Sequence, residues 1–127
     1  MTAASTTLRW IAIAAIVATG LIHLVEAREA FGEASYKGVL FVANGIFALI
    51  AALGVYQTQR TRGWLLGLFV AGGSFIGYVL SRTVGLPSLP AEPDAWLEPM
   101  GVASLIVEGL FCMLFLVARP RGPAASA

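Results

Sequence analysis

The chain has 127 residues, 58% hydrophobic and 12% charged, with a formal net charge of +1. A soluble domain carries about 25% charged residues, so this chain lacks the charge to cover a water-facing surface. The near-neutral balance excludes a nucleic-acid partner, which needs a basic cluster. The single Cys112 excludes an intramolecular disulfide.

The first apolar stretch is "LRWIAIAAIVATGLIHLV". Arg9 and the small residues of "VATG" resemble parts of a signal peptide. The apolar run continues through "LIHLV", so an uncleaved helix over residues 8–26 is expected. The helix formers of "EAREAFGEASYK" are expected to carry it beyond the membrane. A second helix is predicted over 38–56. The short "QTQRTRG" makes it an antiparallel neighbour of a third, over 64–81. Gly73 and Gly77 lie four apart in that third helix, a spacing suited to close packing within the bundle or in a homodimer. "TVGLPSLPAEPDAWLEP" holds four of the six prolines and is expected to be an ordered, non-helical loop. The fourth helix spans 99–118, and a disordered tail is expected over 119–127.

A helix needs about 20 apolar residues to cross a bilayer. Lipid leaves no unpaired backbone group unpunished, so each stretch must be helical. The fold class is therefore all-α, a single four-helix transmembrane bundle over residues 1–118 with the lipid bilayer as its partner. Arg9, Arg60, Arg62, Arg119 and Arg121 fall on one side, and Arg28, Lys37 and Arg82 on the other. That asymmetry places both termini in the cytoplasm of a cell membrane. Trp10, Tyr56 and Trp64 then mark the inner interface, and Tyr36 and Trp96 the outer one.

"VANGIFALI" (42–50) aligns without gaps on "IVEGLFCML" (106–114), setting Asn44 on Glu108, Gly45 on Gly109 and Phe47 on Phe111. This is either chance between two apolar helices or the trace of two parallel helical hairpins related by an axis along the membrane normal. In the second case Asn44 and Glu108 face each other.

Helical spacing gives each span one small or polar stripe. His23 lies with Ala12, Thr19, Glu26 and Ala27, and Asn44 with Ala48 and Ala51. Ser74 lies with Gly67, Tyr78 and Ser81, and Glu108 with Gly101, Ser104 and Cys112. Polar residues avoid lipid, so the stripes are expected to face one another. Counted from the outer helix ends, His23 and Tyr78 lie roughly 5 Å deep, Asn44 and Ser104 roughly 9 Å, and Glu108 roughly 15 Å. Glu108 thus ends a polar cup that opens outward.

A charge at a helix centre costs about 2.5–3.5 kcal/mol on insertion scales, so Glu108 must be neutral, paired or hydrated. With no basic residue expected at its depth, Glu108 is predicted to be protonated. It would then donate to Asn44 and accept from Ser104. The candidates for ligand or proton handling are Glu108, Asn44, His23, Glu26, Tyr78, Ser74, Ser104 and Arg82. Arg82 either snorkels to phosphates or turns inward toward Glu26 or Glu98. Glu98 suits the N-terminus of the fourth helix.

One histidine and one deep cysteine fall short of a metal site. No catalytic signature is present, and no cofactor is expected. Two function classes follow: ion, proton or small-ligand handling, with transport as a candidate, and an accessory or assembly subunit with a membrane-protein partner. A quinone-holding subunit is a weaker third. "SRTVGLP", "EP" and "SLIVEGLF" together resemble small uncharacterised prokaryotic membrane proteins with four helices. That resemblance implies the four-helix fold and no assigned activity.

Overall fold

The computed structural model describes residues 3–57 and 61–118, with side chains from Thr6 onward. Arg60, Arg119, Arg121 and the tail expected over 119–127 lie outside the described residues. Four helices make up the fold: α1 (Ala3–Glu33), α2 (Ser35–Gln57), α3 (Thr61–Thr83) and α4 (Pro99–Ala118). All four contain windows long and apolar enough to cross a membrane. Large apolar side chains such as Phe69, Ile76, Ile106 and Leu116 point outward. In water such a surface would be untenable, and in a bilayer it is the expected one. The protein is a multi-pass four-helix membrane bundle.

The helices stand in a ring. α1 packs on α2, α2 on α3, α3 on α4 and α4 on α1. α2 and α4 occupy opposite corners and make no contact among the described residues. Related hairpins would have this arrangement, but the aligned residues have different surroundings. Phe111 is fully buried while Phe47 is half exposed. Leu24 presses on Gly45, whereas a Cβ on Gly109 would meet only Phe75, at 3.7 Å.

α1 is much longer than its apolar core. The helix formers after Val25 carry it to Glu33, and Ala34 alone separates it from α2. The Ala34 amide bonds to Ala30 O at 3.0 Å, and its carbonyl accepts from Lys37 and Gly38 at 3.1 Å. One residue therefore ends one helix and starts the next. Phe31 fills this corner by lying where a side chain on Gly38 would be. The expected outer loop is thus almost wholly helical.

The connection from α3 to α4 is ordered. Gly85, at φ 89°, turns the chain back so that Leu86 and Leu89 bridge. A Cβ there would lie 2.8 Å from Leu89 O, so only glycine fits. One 3₁₀ turn, Pro93–Ala95, interrupts the otherwise non-helical loop. The amide of Glu92 bonds to Ser81 O at 2.9 Å, and the Tyr36 hydroxyl donates to Pro87 O. Glu98 caps α4: its carboxylate accepts from Gly101 N at 2.7 Å and Met100 N at 3.3 Å, with Pro99 in the first helical position.

Packing differs along the bundle axis. At the end where α1 begins and α4 finishes, Ala12, Ile16, Ala51, Val55, Trp64 and Phe111 form a closed core. Gly54 and Gly63 bring α2 and α3 into backbone contact there, and the Phe111 ring sits over Gly67. Toward the other end α1 and α2 stay close, through Gly20 against Ala48. α3 has no such contact at Gly73 or Gly77, where an added Cβ would meet nothing within 4 Å. The expected close packing at these two glycines is absent within the bundle.

Candidate functional site: a polar layer under a cavity

A cavity of about 920 Å³ fills the loop end of the bundle. This is near the upper end of the range usual for small-molecule sites. Its lining includes all eight side chains singled out in the sequence: His23, Glu26, Asn44, Ser74, Tyr78, Arg82, Ser104 and Glu108.

Four of them lie in one layer. His23 is ten residues before the end of α1 at Glu33, and Ser74 nine before the end of α3 at Thr83. Asn44 is nine after the start of α2 at Ser35, and Glu108 nine after Pro99. At 1.5 Å per residue, each is about 15 Å from its helix end. The shallow position expected for His23, near the mouth, is therefore corrected. It is deep because α1 continues past the apolar stretch from which depth is counted. The expectation that Glu108 has no basic neighbour fails for the same reason: His23 Nε2 lies 3.8 Å from Glu108 Oε2.

The backbone of α1 fixes the histidine. Its Nδ1 is 2.9 Å from Thr19 O, and a carbonyl only accepts, so Nδ1 carries a proton. Thr19 in turn donates to Ala15 O at 3.0 Å. In neutral His23 the lone pair is therefore on Nε2, facing Glu108. A neutral imidazole beside an ionised carboxylate would set two acceptors against each other. The two atoms are too far apart for a direct hydrogen bond, and a proton on either His23 or Glu108 removes the repulsion between the two lone pairs. Phe41 leans on the imidazole with ring centroids 4.9 Å apart.

Glu108 is 1% exposed. Ser104, one turn earlier on α4, donates to its Oε2. Its Oε1 has no protein partner. Asn44, expected to bond Glu108, instead donates across α2–α3 to Ser74, and its Oδ1 is also without a partner. Two buried acceptors on the cavity wall therefore remain free, and unpaired buried groups of this kind cost about 1–3 kcal/mol each.

The upper wall carries Glu26, Glu29, Glu33, Glu92 and Glu98 against Lys37 and Arg82. Lys37 pairs with Glu33 across the α1–α2 corner. Arg82 turns inward and lies 3.9 Å from the Tyr78 ring, with Nη1 2.8 Å from Ser81 Oγ and Nη2 3.3 Å from Ala95 O. It forms no ion pair with Glu26 or Glu98 among the described residues. Tyr78 donates to Trp96 O at 2.8 Å, fixing the loop over α3. The unbalanced carboxylates give the vestibule an acidic field that attracts cations.

Among the described residues no three His, Cys, Asp or Glu side chains gather as a metal site would need. Sequence reasoning missed Glu29, Glu33, Lys37 and Phe41 as wall residues. The signal was the run of helix formers after Val25, which sends the α1 stripe onward through Ala30 to Glu33. No protein-family profile, curated protein or solved structure matches the chain.

Proposed function

We propose that this protein binds and handles a small ligand, an ion or protons in a membrane-embedded cavity that ends at Glu108. The supporting observation is Glu108 itself: fully buried beside His23, with one oxygen unpaired on the wall of a large cavity. Intramembrane ionisable residues tend to mark substrate or proton pathways. The His23–Glu108 pair holds a proton that a ligand or a pH change can displace, which suits coupled handling. With both termini cytoplasmic, as the basic residues indicate, the cavity opens outward in the cell membrane. A subunit whose polar stripes only glue helices would close around its polar layer, and 920 Å³ of space there favours handling over glue.

Hydration of the layer tests this. Asn44→Cys and Ser74→Cys, each in a Cys112→Ser background, should react with a charged, membrane-impermeant thiol reagent added from outside. Tyr36→Cys, near the loop, is the positive control. Reaction at position 36 with none at 44 or 74 would mean a dry bundle and would end the handling reading. Reaction only from the cytoplasmic side would reverse the topology.

A further inference from the structure

The cavity has a second opening. Its wall includes Leu40 and Phe47 of α2 and Phe69 of α3, which also face the membrane, Phe69 with 81% of its surface exposed. Gly73 and Gly77 line the same cleft, with open space where a side chain would stand. The cavity therefore reaches the lipid-facing surface between α2 and α3, at the depth of the hydrocarbon. At the inner end of this cleft lie Asn44 and Glu108.

The free groups decide what kind of molecule fits. Asn44 Oδ1 and Glu108 Oε1 are both unpaired acceptors, so a ligand must bring donors. A carboxylate also favours positive charge on the donor. An oxidised quinone, which only accepts, leaves both oxygens unsatisfied. A primary ammonium brings three donors and one charge. The cleft wall, Leu40, Phe47, Leu66 and Phe69, is apolar and suits a hydrocarbon or aromatic body.

We propose that the α2–α3 cleft is a lateral entrance for an amphipathic primary amine, whose ammonium is held by Glu108 and Asn44 while its apolar body lies in the cleft. The proposal rests on the handling role given above and names the ligand class. As the ammonium pairs with the Glu108 carboxylate, the proton carried by His23 or Glu108 is transferred to water in the cavity, so the charge of the site stays balanced.

The test uses the full chain in nanodiscs with dansylcadaverine, a primary amine on an aromatic fluorophore, and its N-acetyl derivative, which lacks the ammonium. The amine should bind about tenfold tighter or more than the acetyl form. Glu108→Gln should remove that difference. Gly73→Leu and Gly77→Leu, which fill the cleft, should slow association about tenfold or more, while Ile106→Ala, on the lipid face of α4 and outside the cavity wall, leaves the rate within about twofold. Equal binding of the two probes, or no binding of the amine, overturns the ligand class. Unchanged association in both leucine variants overturns the lateral entrance. In either event thiol reactivity at position 44 still reads the cavity role separately, because it depends on water and not on amine.

Discussion

The two ends of the bundle are built from the same kind of residue and behave differently. At the terminal end, glycines are occupied: Gly63 meets the backbone of Gly54, and Gly67 holds the Phe111 ring. At the loop end, Gly73 and Gly77 hold nothing, and polar side chains surround space. Small residues permit close approach but do not cause it. In the lower half large partners on neighbouring helices fill the room. In the upper half α1 and α2 still touch and Asn44 bonds Ser74 across α2–α3, but Asn44, Ser74, His23 and Glu108 offer no apolar surface to close the space that they surround.

The largest effect that would break this contrast is at Phe111. Phe111→Ala should cost about 3–5 kcal/mol, because it empties the floor between Gly67 and Trp64. Thermal unfolding in detergent reads the loss, and a change within about 1 kcal/mol would mean the lower half is not a packed core. Gly63→Ala comes next, at about 1–3 kcal/mol. Its Cβ would sit 2.8 Å from the Gly54 carbonyl carbon, and backbone cannot rotate away.

Glu108 gives a smaller and more selective effect. Glu108→Leu leaves Ser104 and His23 without their partner and should cost about 1–3 kcal/mol. Glu108→Gln keeps the hydrogen bond, since its oxygen accepts from Ser104 where Oε2 does, and its amide stands in the place of Oε1 on the cavity wall. The Gln variant should therefore unfold like the wild type. Equal damage from both substitutions would mean that the charge, and not the hydrogen bonding, holds the layer. The smallest effects belong to Gly73→Ala and Gly77→Ala. Nothing is in the way, so each should be neutral or gain about 0.5–1 kcal/mol from helix propensity. A loss of stability at either position, measured in the same unfolding assay, would show that the cleft is closed by a partner or a second copy.

Helical spacing is enough to read which faces turn inward. Ala12, Thr19, His23, Ala48, Ala51, Gly67, Ser104 and Glu108 are all buried. Periodicity depends only on residue order along one helix, so it survives ignorance of the neighbours. Depth and partnership are less legible. Depth is counted from the ends of hydrophobicity, and α1 ignores that limit because "EAREAFGE" is polar yet helix-forming. The Asn44–Ser74 bond, replacing the expected Asn44–Glu108 bond, reflects the ring order: α2 touches α3 and stands opposite α4. A sequence with a weak internal repeat suggests that two residues are equivalent. It does not tell whether equivalent positions meet or stand apart.

Tyr36 gives the cleft a mechanical limit. The loop that follows α3 returns to α3 through Glu92 and Ser81, and Tyr78 ties Trp96 to the same helix. The whole loop therefore travels with α3. Tyr36, near the start of α2, reaches over to bond the carbonyl of Pro87 on that loop. This phenol is a second tie between the two helices that flank the opening, above the Asn44–Ser74 bond, and parting α2 from α3 stretches both. The proposed lateral entrance therefore lies between two ties, one in the polar layer and one about 12 Å above it, eight residues along α2 from Asn44, and its girth is limited by both.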